Sequence, residues 1–166
     1  MNLYKLIAQQ RSLDTSIYVE KNLDPSKLLV DKVIGLMTEL GEAMNEWRAF
    51  KYWSNDPIPR EEELLFELVD GIHFTISIGL DCNYALRAAP YISISENDFE
   101  VDVKRSVLTL FYLITVFEQK RSFNNYVYML QALIDLIIEL GFDWGEVEAA
   151  YEKKNKINQL RQVEGY

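Results

Sequence analysis

Cysteine occurs once in these 166 residues, at Cys82, and histidine once, at His73. A single cysteine excludes an internal disulfide and fits a reducing compartment. Four prolines and seven glycines are few, as expected of a chain built from long helices. Basic residues are outnumbered, 17 against 26 acidic ones, for a net charge of −9. That balance argues against a nucleic-acid partner, whose binding surface would carry a basic stripe. It still admits a small anionic substrate if a cation mediates the contact. Long hydrophobic runs are absent too. The longest, VLTLFYLITVF from Val107 to Phe117, contains two threonines and is too short to span a bilayer. Met1 to Gln10 lacks the apolar core of a signal peptide. A soluble, cytoplasmic protein without a membrane partner is expected.

What is present is ample for a core: 49% hydrophobic residues and 13% aromatic ones, in a length typical of one domain, residues 1–166. The apolar spacing is helical almost throughout, and only YISIS alternates with period two, so the expected class is all-α, a bundle of about six helices. The first runs from about Asn2 to Tyr18. Asp24-Pro25 reads as N-cap and first helical position of a second helix reaching about Phe50. A loop with two prolines, Ser54 to Arg60, leads to a third helix, Glu61 to Leu80. Asp81 to Asp98 is the long irregular stretch. Helices over roughly Glu100 to Gln119 and Ser122 to Leu140 follow, with Gly141 ending the latter as a C′ residue. Asp143 then opens the last helix in a capping box with Glu146.

The second helix stacks carboxylates. Glu39, Glu42 and Glu46 in TELGEAMNEW lie within 60° of one another at 100° per residue, a spacing that costs a helix a few tenths of a kcal/mol per like-charged pair. In the third helix ELVD places Glu67 and Asp70 at the same i, i+3 spacing within an apolar stretch. Either pair alone reads as a solvated face. Together they differ, because antiparallel helices joined by a short loop would bring them face to face. Carboxylates converging in a half-buried site must protonate or hold cations. Oxygen ligands favour Mg²⁺ or Mn²⁺ over zinc. A di-iron bundle needs two Glu-x-x-His motifs, and one histidine cannot supply them. Magnesium commonly binds through carboxylates together with substrate phosphates, so the stacked charges point to a metal and a polyphosphate.

ELGEAMNEWRAFKYW, ELVDGIHFTISIGL and the terminal YEKKNKINQLRQVEGY resemble the dimeric all-α dUTPases, within the larger all-α nucleoside triphosphate pyrophosphatase superfamily that includes the MazG-type enzymes. The most specific block is the last, matching at Tyr151, Lys154, Asn155, Asn158, Arg161, Gln162, Gly165 and Tyr166. The resemblance implies a homodimer that hydrolyses dUTP, and dUDP, to dUMP, with water attacking the α-phosphorus and pyrophosphate leaving dUTP. It implies that Glu39, Glu42, Glu67 and Asp70 hold magnesium, two or more ions with substrate bound, with Glu39 or Glu42 activating the water. Lys154, Asn158 and Arg161 would grip phosphate; their i, i+4, i+7 spacing independently puts them on one helical face. Lys51 would join them.

For the base, the family presents a glutamine and, four residues later, usually an asparagine from the first helix. Here the pair is Gln10 and Asp14. A carboxylate accepts from a ring N3–H but cannot donate to a carbonyl. Trp53 corresponds to a tryptophan that reaches the uracil, and Phe74 is expected beside the sugar. His73 reads as a hydrogen-bonded core histidine outside the chemistry. Because the base-reading residues match least well, the alternative is a dCTP/dUTP or broader MazG-like pyrophosphohydrolase.

Overall fold

Burial concentrates on the helix that follows the proline loop. In the computed structural model, which describes residues 1–94 and 102–163, this helix, α3 (Glu61–Asp81), buries Leu64, Leu68, Val69, Ile72, Ile76 and Ile78 over most of its circumference. Such a helix must be surrounded. Around it pack α1 (Leu3–Glu20), α2 (Leu29–Trp47), the one-turn α4 (Ala85–Ala88), α6 (Phe123–Glu139) and α7 (Trp144–Val163), while α5 (Val103–Lys120) pairs with α6 and touches α2. All regular structure among the described residues is helical, so the all-α expectation holds.

α2 and α3 share the most extensive contact. Lys32 pairs with Asp81 near one end, Glu39 gathers with Asp70 midway, and Glu46 pairs with Arg60 at the other, so the two run antiparallel. Gly71 lies where this hairpin meets α6: a Cβ there would be in ordinary contact with Leu36, Leu40 and Leu133. Gly79 is tighter. A Cβ on it would stand 2.1 Å from the Tyr126 hydroxyl oxygen, and that hydroxyl donates to the Thr75 carbonyl at 3.2 Å. Only glycine admits the aromatic ring at that height of α3.

Local signals explain most boundaries. Ser122 caps α6 through the Asn125 N–H, Gly141 follows with φ 98°, and Asp143 and Glu146 exchange both capping-box bonds at 2.9 Å. The expected second helix needs correction at both ends. Asp24 and Pro25 open a 3₁₀ turn, Pro25–Lys27, and α2 proper starts at Leu29. Asp24 spends its side chain on the Ser26 N–H and hydroxyl, closing a tight turn rather than an α-helical first turn. At the far end Arg48 turns left-handed, φ 62°, and its guanidinium clasps the Asp56 carbonyl and carboxylate, so the helix stops before Phe50.

The Val107–Phe117 segment is not buried on every side within one chain. Leu110, Ile114 and Phe117 are buried, whereas Leu108 and Tyr112 are 61% and 66% exposed. The helix that should begin near Glu100 begins at Val103, capped by Asp102; Glu100, part of YISIS, and the terminal Gly165 and Tyr166 lie outside the described residues.

Candidate active site

A cavity of about 410 Å³ opens where α1, α2, α3 and α7 converge. Its position follows from helical spacing. On α2, Glu39 and Lys32 are seven residues apart, 20° around the axis and about 10 Å along it. On α3, Asp70 and Ser77 stand in the same relation. All four line the cavity, which therefore extends over two turns from a carboxylate end to an end formed by Lys32, Ser77, Asp14 and Tyr18.

At the first end Glu39, Glu67 and Asp70 each offer an oxygen, all within 4.8 Å of one another. The electrostatic strain is visible in their protonation. Burial, then the charges of Asp70, Glu67 and Glu42, push the Glu39 carboxyl up to about 7. Burial also raises Glu67 and Asp70, although the Lys154 ammonium pulls both back down. Lys154 reaches from α7 to form an ion pair with Asp70, so a cation from the last helix already partly answers the acidic cluster. Three half-buried, oxygen-only ligands whose protons are held too tightly are what a hard divalent ion would relieve. Glu42 is exposed and outside this group, close enough to act on it by charge alone.

The opposite end is a closed hydrogen-bond chain. Gln10 donates an amide proton to Asp14 at 2.7 Å, and Ser77 donates to the other Asp14 oxygen at 2.7 Å. The Gln10 carbonyl accepts from the Tyr151 hydroxyl at 2.9 Å and lies 2.6 Å from His73 Nδ1. With that carbonyl accepting, His73 carries its proton on Nδ1, leaving Nε2 buried and without a partner among the described residues. Burial drives the His73 pKa down to about 3, so the ring is neutral, and it stacks on Tyr151 at 3.8 Å. His73 is thus the core histidine read from the sequence.

Of the residues singled out in the sequence, the cavity wall brings together Gln10, Asp14, Glu39, Asp70, Phe74, Asn158 and Arg161. Phe74 lies flat enough against α2 that a Cβ on Gly35 would meet its ring at 2.6 Å. Besides Glu42, two expected residues stand elsewhere. Lys51 donates to the Asn45 carbonyl at 3.0 Å. Trp53 is 64% exposed, edge-on to Tyr52 and Phe50 in the loop after α2, and does not line the cavity. Both sit beyond Arg48, where the left-handed turn leads the chain away from the α2–α3 seam. Lys32, Tyr18 and Ser77 were missed; their seven-residue offsets from Glu39 and Asp70 were the available signal for the first and last.

A family model described as dUTPase matches residues 2–166. No curated protein matches the chain.

Proposed function

The chain belongs to the dUTPase family, which makes it a dUTP diphosphatase, and we propose that it acts with Mg²⁺, Mn²⁺ serving as substitute, on dUTP and dUDP. Water attacks the α-phosphorus of dUTP, the bond to the bridging oxygen breaks, and dUMP and pyrophosphate leave. The supporting observation is a single cavity with the Glu39–Glu67–Asp70 cluster at one end, hydrogen-bonding groups at the other, and Asn158 and Arg161 of α7 on its wall.

Glu39, Glu67 and Asp70, joined by Glu42, would hold two or more metal ions together with substrate. Bound there, the metal supplies charge neutralisation and a water of lowered pKa. Glu39 or Glu42 accepts the proton of the attacking water. Lys154, Asn158 and Arg161 grip the phosphates. Lys51 and Trp53 reach substrate only if the loop after α2 folds inward. Phe74 walls the sugar, while Gln10 and Asp14 face the base.

The working form is a homodimer. An apolar recess between Met44, Trp47, Phe50, Val107 and Leu108, beside exposed Tyr112, offers the face for a second copy. Among the described residues no helix is long and apolar enough to cross a membrane; with one unpaired cysteine, a cytoplasmic place of action fits.

Pyrophosphate release from each deoxynucleoside triphosphate tests this reading. Activity on dUTP with Mg²⁺, its loss in EDTA, and its loss in folded Glu67→Gln are expected. Full turnover in EDTA would refute the metal assignment, and equal rates on dCTP would move the enzyme to the broader-specificity alternative.

A further inference from the structure

Lys32 has no role in the site as described so far, yet it is a charged side chain only 8% exposed on the cavity wall. Its ammonium pairs with Asp81 and also donates to the Tyr18 hydroxyl, which in turn donates to the other Asp81 oxygen at 3.0 Å. Two of its three protons are thereby committed. The third belongs to a buried cation bordering the cavity. A buried charge is costly to keep, and the Asp81 pair could have been replaced by an apolar contact if only packing were at stake.

The neighbouring valences are equally constrained. Gln10 has spent its carbonyl on Tyr151 and His73 and one amide proton on Asp14, so toward the cavity it offers one N–H and no acceptor. Asp14 receives bonds on both oxygens from Gln10 and Ser77 and faces the cavity as an acceptor. We propose that Lys32 is a specificity-determining residue, its free ammonium proton completing a donor–acceptor–donor row, Gln10 N–H, Asp14 carboxylate and Lys32 N–H, that reads the carbonyl–NH–carbonyl edge of uracil. This rests on the dUTP reading and deepens it. The row explains how a carboxylate serves where an amide is usual: the lysine supplies the donor that aspartate cannot. The C4 end of the base faces Lys32 in this arrangement, so that cytosine, with an amino group at C4, a bare ring nitrogen and a carbonyl at C2, would set donor against donor at the lysine and acceptor against acceptor at Asp14.

The placement agrees with the length of a nucleotide. Lys32 stands two turns of α2, about 10 Å, from Glu39, with Phe74 between the two ends on α3. A triphosphate anchored at the carboxylates thus carries its base to the Lys32 end.

The test compares kcat/KM for dUTP and dCTP in wild type, Lys32→Met, Asp81→Asn and the double variant Lys32→Met/Asp81→Asn. The double variant removes both charges together, so that misfolding from an unpaired Asp81 does not obscure the answer. Wild type should favour dUTP on the order of 10⁴-fold. Both Lys32 variants should reduce that preference by roughly 10- to 100-fold, the worth of a hydrogen bond to a charged group, while Asp81→Asn, which keeps the ammonium, retains it. An unchanged preference in the Lys32 variants overturns the assignment and leaves the dUTP reading intact. A collapse of equal size in Asp81→Asn also overturns it, because the cluster would then act through packing alone. No turnover of dUTP by wild type overturns the dUTP reading and this inference with it.

Discussion

Replacing Glu39 by glutamine should stabilise the metal-free protein while destroying the activity. The folded state holds the Glu39 proton up to about pH 7, whereas an unperturbed glutamate releases it near 4.5. Between those values the folded protein binds more protons than the unfolded chain, so stability falls as pH rises through the window. The difference of 2.5 pH units (7 less 4.5) corresponds to about 3.4 kcal/mol if taken in full. Glu39 is only half-buried, and solvent screening reduces this to about 1–2 kcal/mol. Glu39→Gln removes the charge and recovers that amount. For a chain of this length about 2–4 °C in Tm accompanies each kcal/mol, so the variant should melt roughly 2–8 °C above wild type at pH 8 in EDTA. The gap should close toward pH 5. His73 works in the opposite sense: its folded pKa near 3 makes the protein lose stability as pH falls below 6.5. That contribution is common to both proteins and cancels in the difference. Thermal unfolding followed by circular dichroism, at fixed protein concentration in EDTA, measures the gap. A variant no more stable than wild type at pH 8 would refute the reasoning that the acidic cluster is strained without a cation.

Gly79→Ala should destabilise by about 1–3 kcal/mol in chemical denaturation, because its Cβ would strike the Tyr126 ring; alanine for glycine inside a helix otherwise stabilises. Lys154→Gln frees Asp70 of its resident ammonium, so titration of the nucleotide-free protein should show tighter Mn²⁺ binding than wild type, while turnover falls through the lost phosphate contact. Sedimentation at micromolar concentration should find a dimer, and Leu108→Glu, on the exposed face of α5, should shift it toward monomer; a wild-type monomer would contradict the proposed assembly.

Several features were legible in the sequence because they depend on neighbours within a turn or two. The Asp143–Glu146 box, Gly141 and Ser122 each act through backbone groups at most four residues away. The pairing of Glu39 with Glu67 and Asp70 was also readable, since each carboxylate pair interrupts a stretch whose apolar neighbours must be buried, and an antiparallel hairpin that buries both brings the pairs together. The end of α2 was not. Arg48 adopts a left-handed conformation and clasps Asp56, a bond to a residue in the following loop that no helical periodicity encodes.

The hydrogen-bond chain behind the cavity belongs wholly to tertiary structure. Gln10 and Asp14 are one turn apart on α1, and the family resemblance implies that they read the base. What Gln10 has left to offer depends on Tyr151, 141 residues away, and on His73, 63 residues away. Likewise Lys32 in isolation is one of 17 basic residues, ordinarily solvated. It becomes a buried donor only when the antiparallel α2–α3 hairpin sets it opposite Asp81 and α1 brings Tyr18 across. Sequence by itself determined where helices form and which charges they repeat, because those follow from local geometry. Which protons and lone pairs remain for a ligand was decided by packing, because each is what distant partners leave unclaimed.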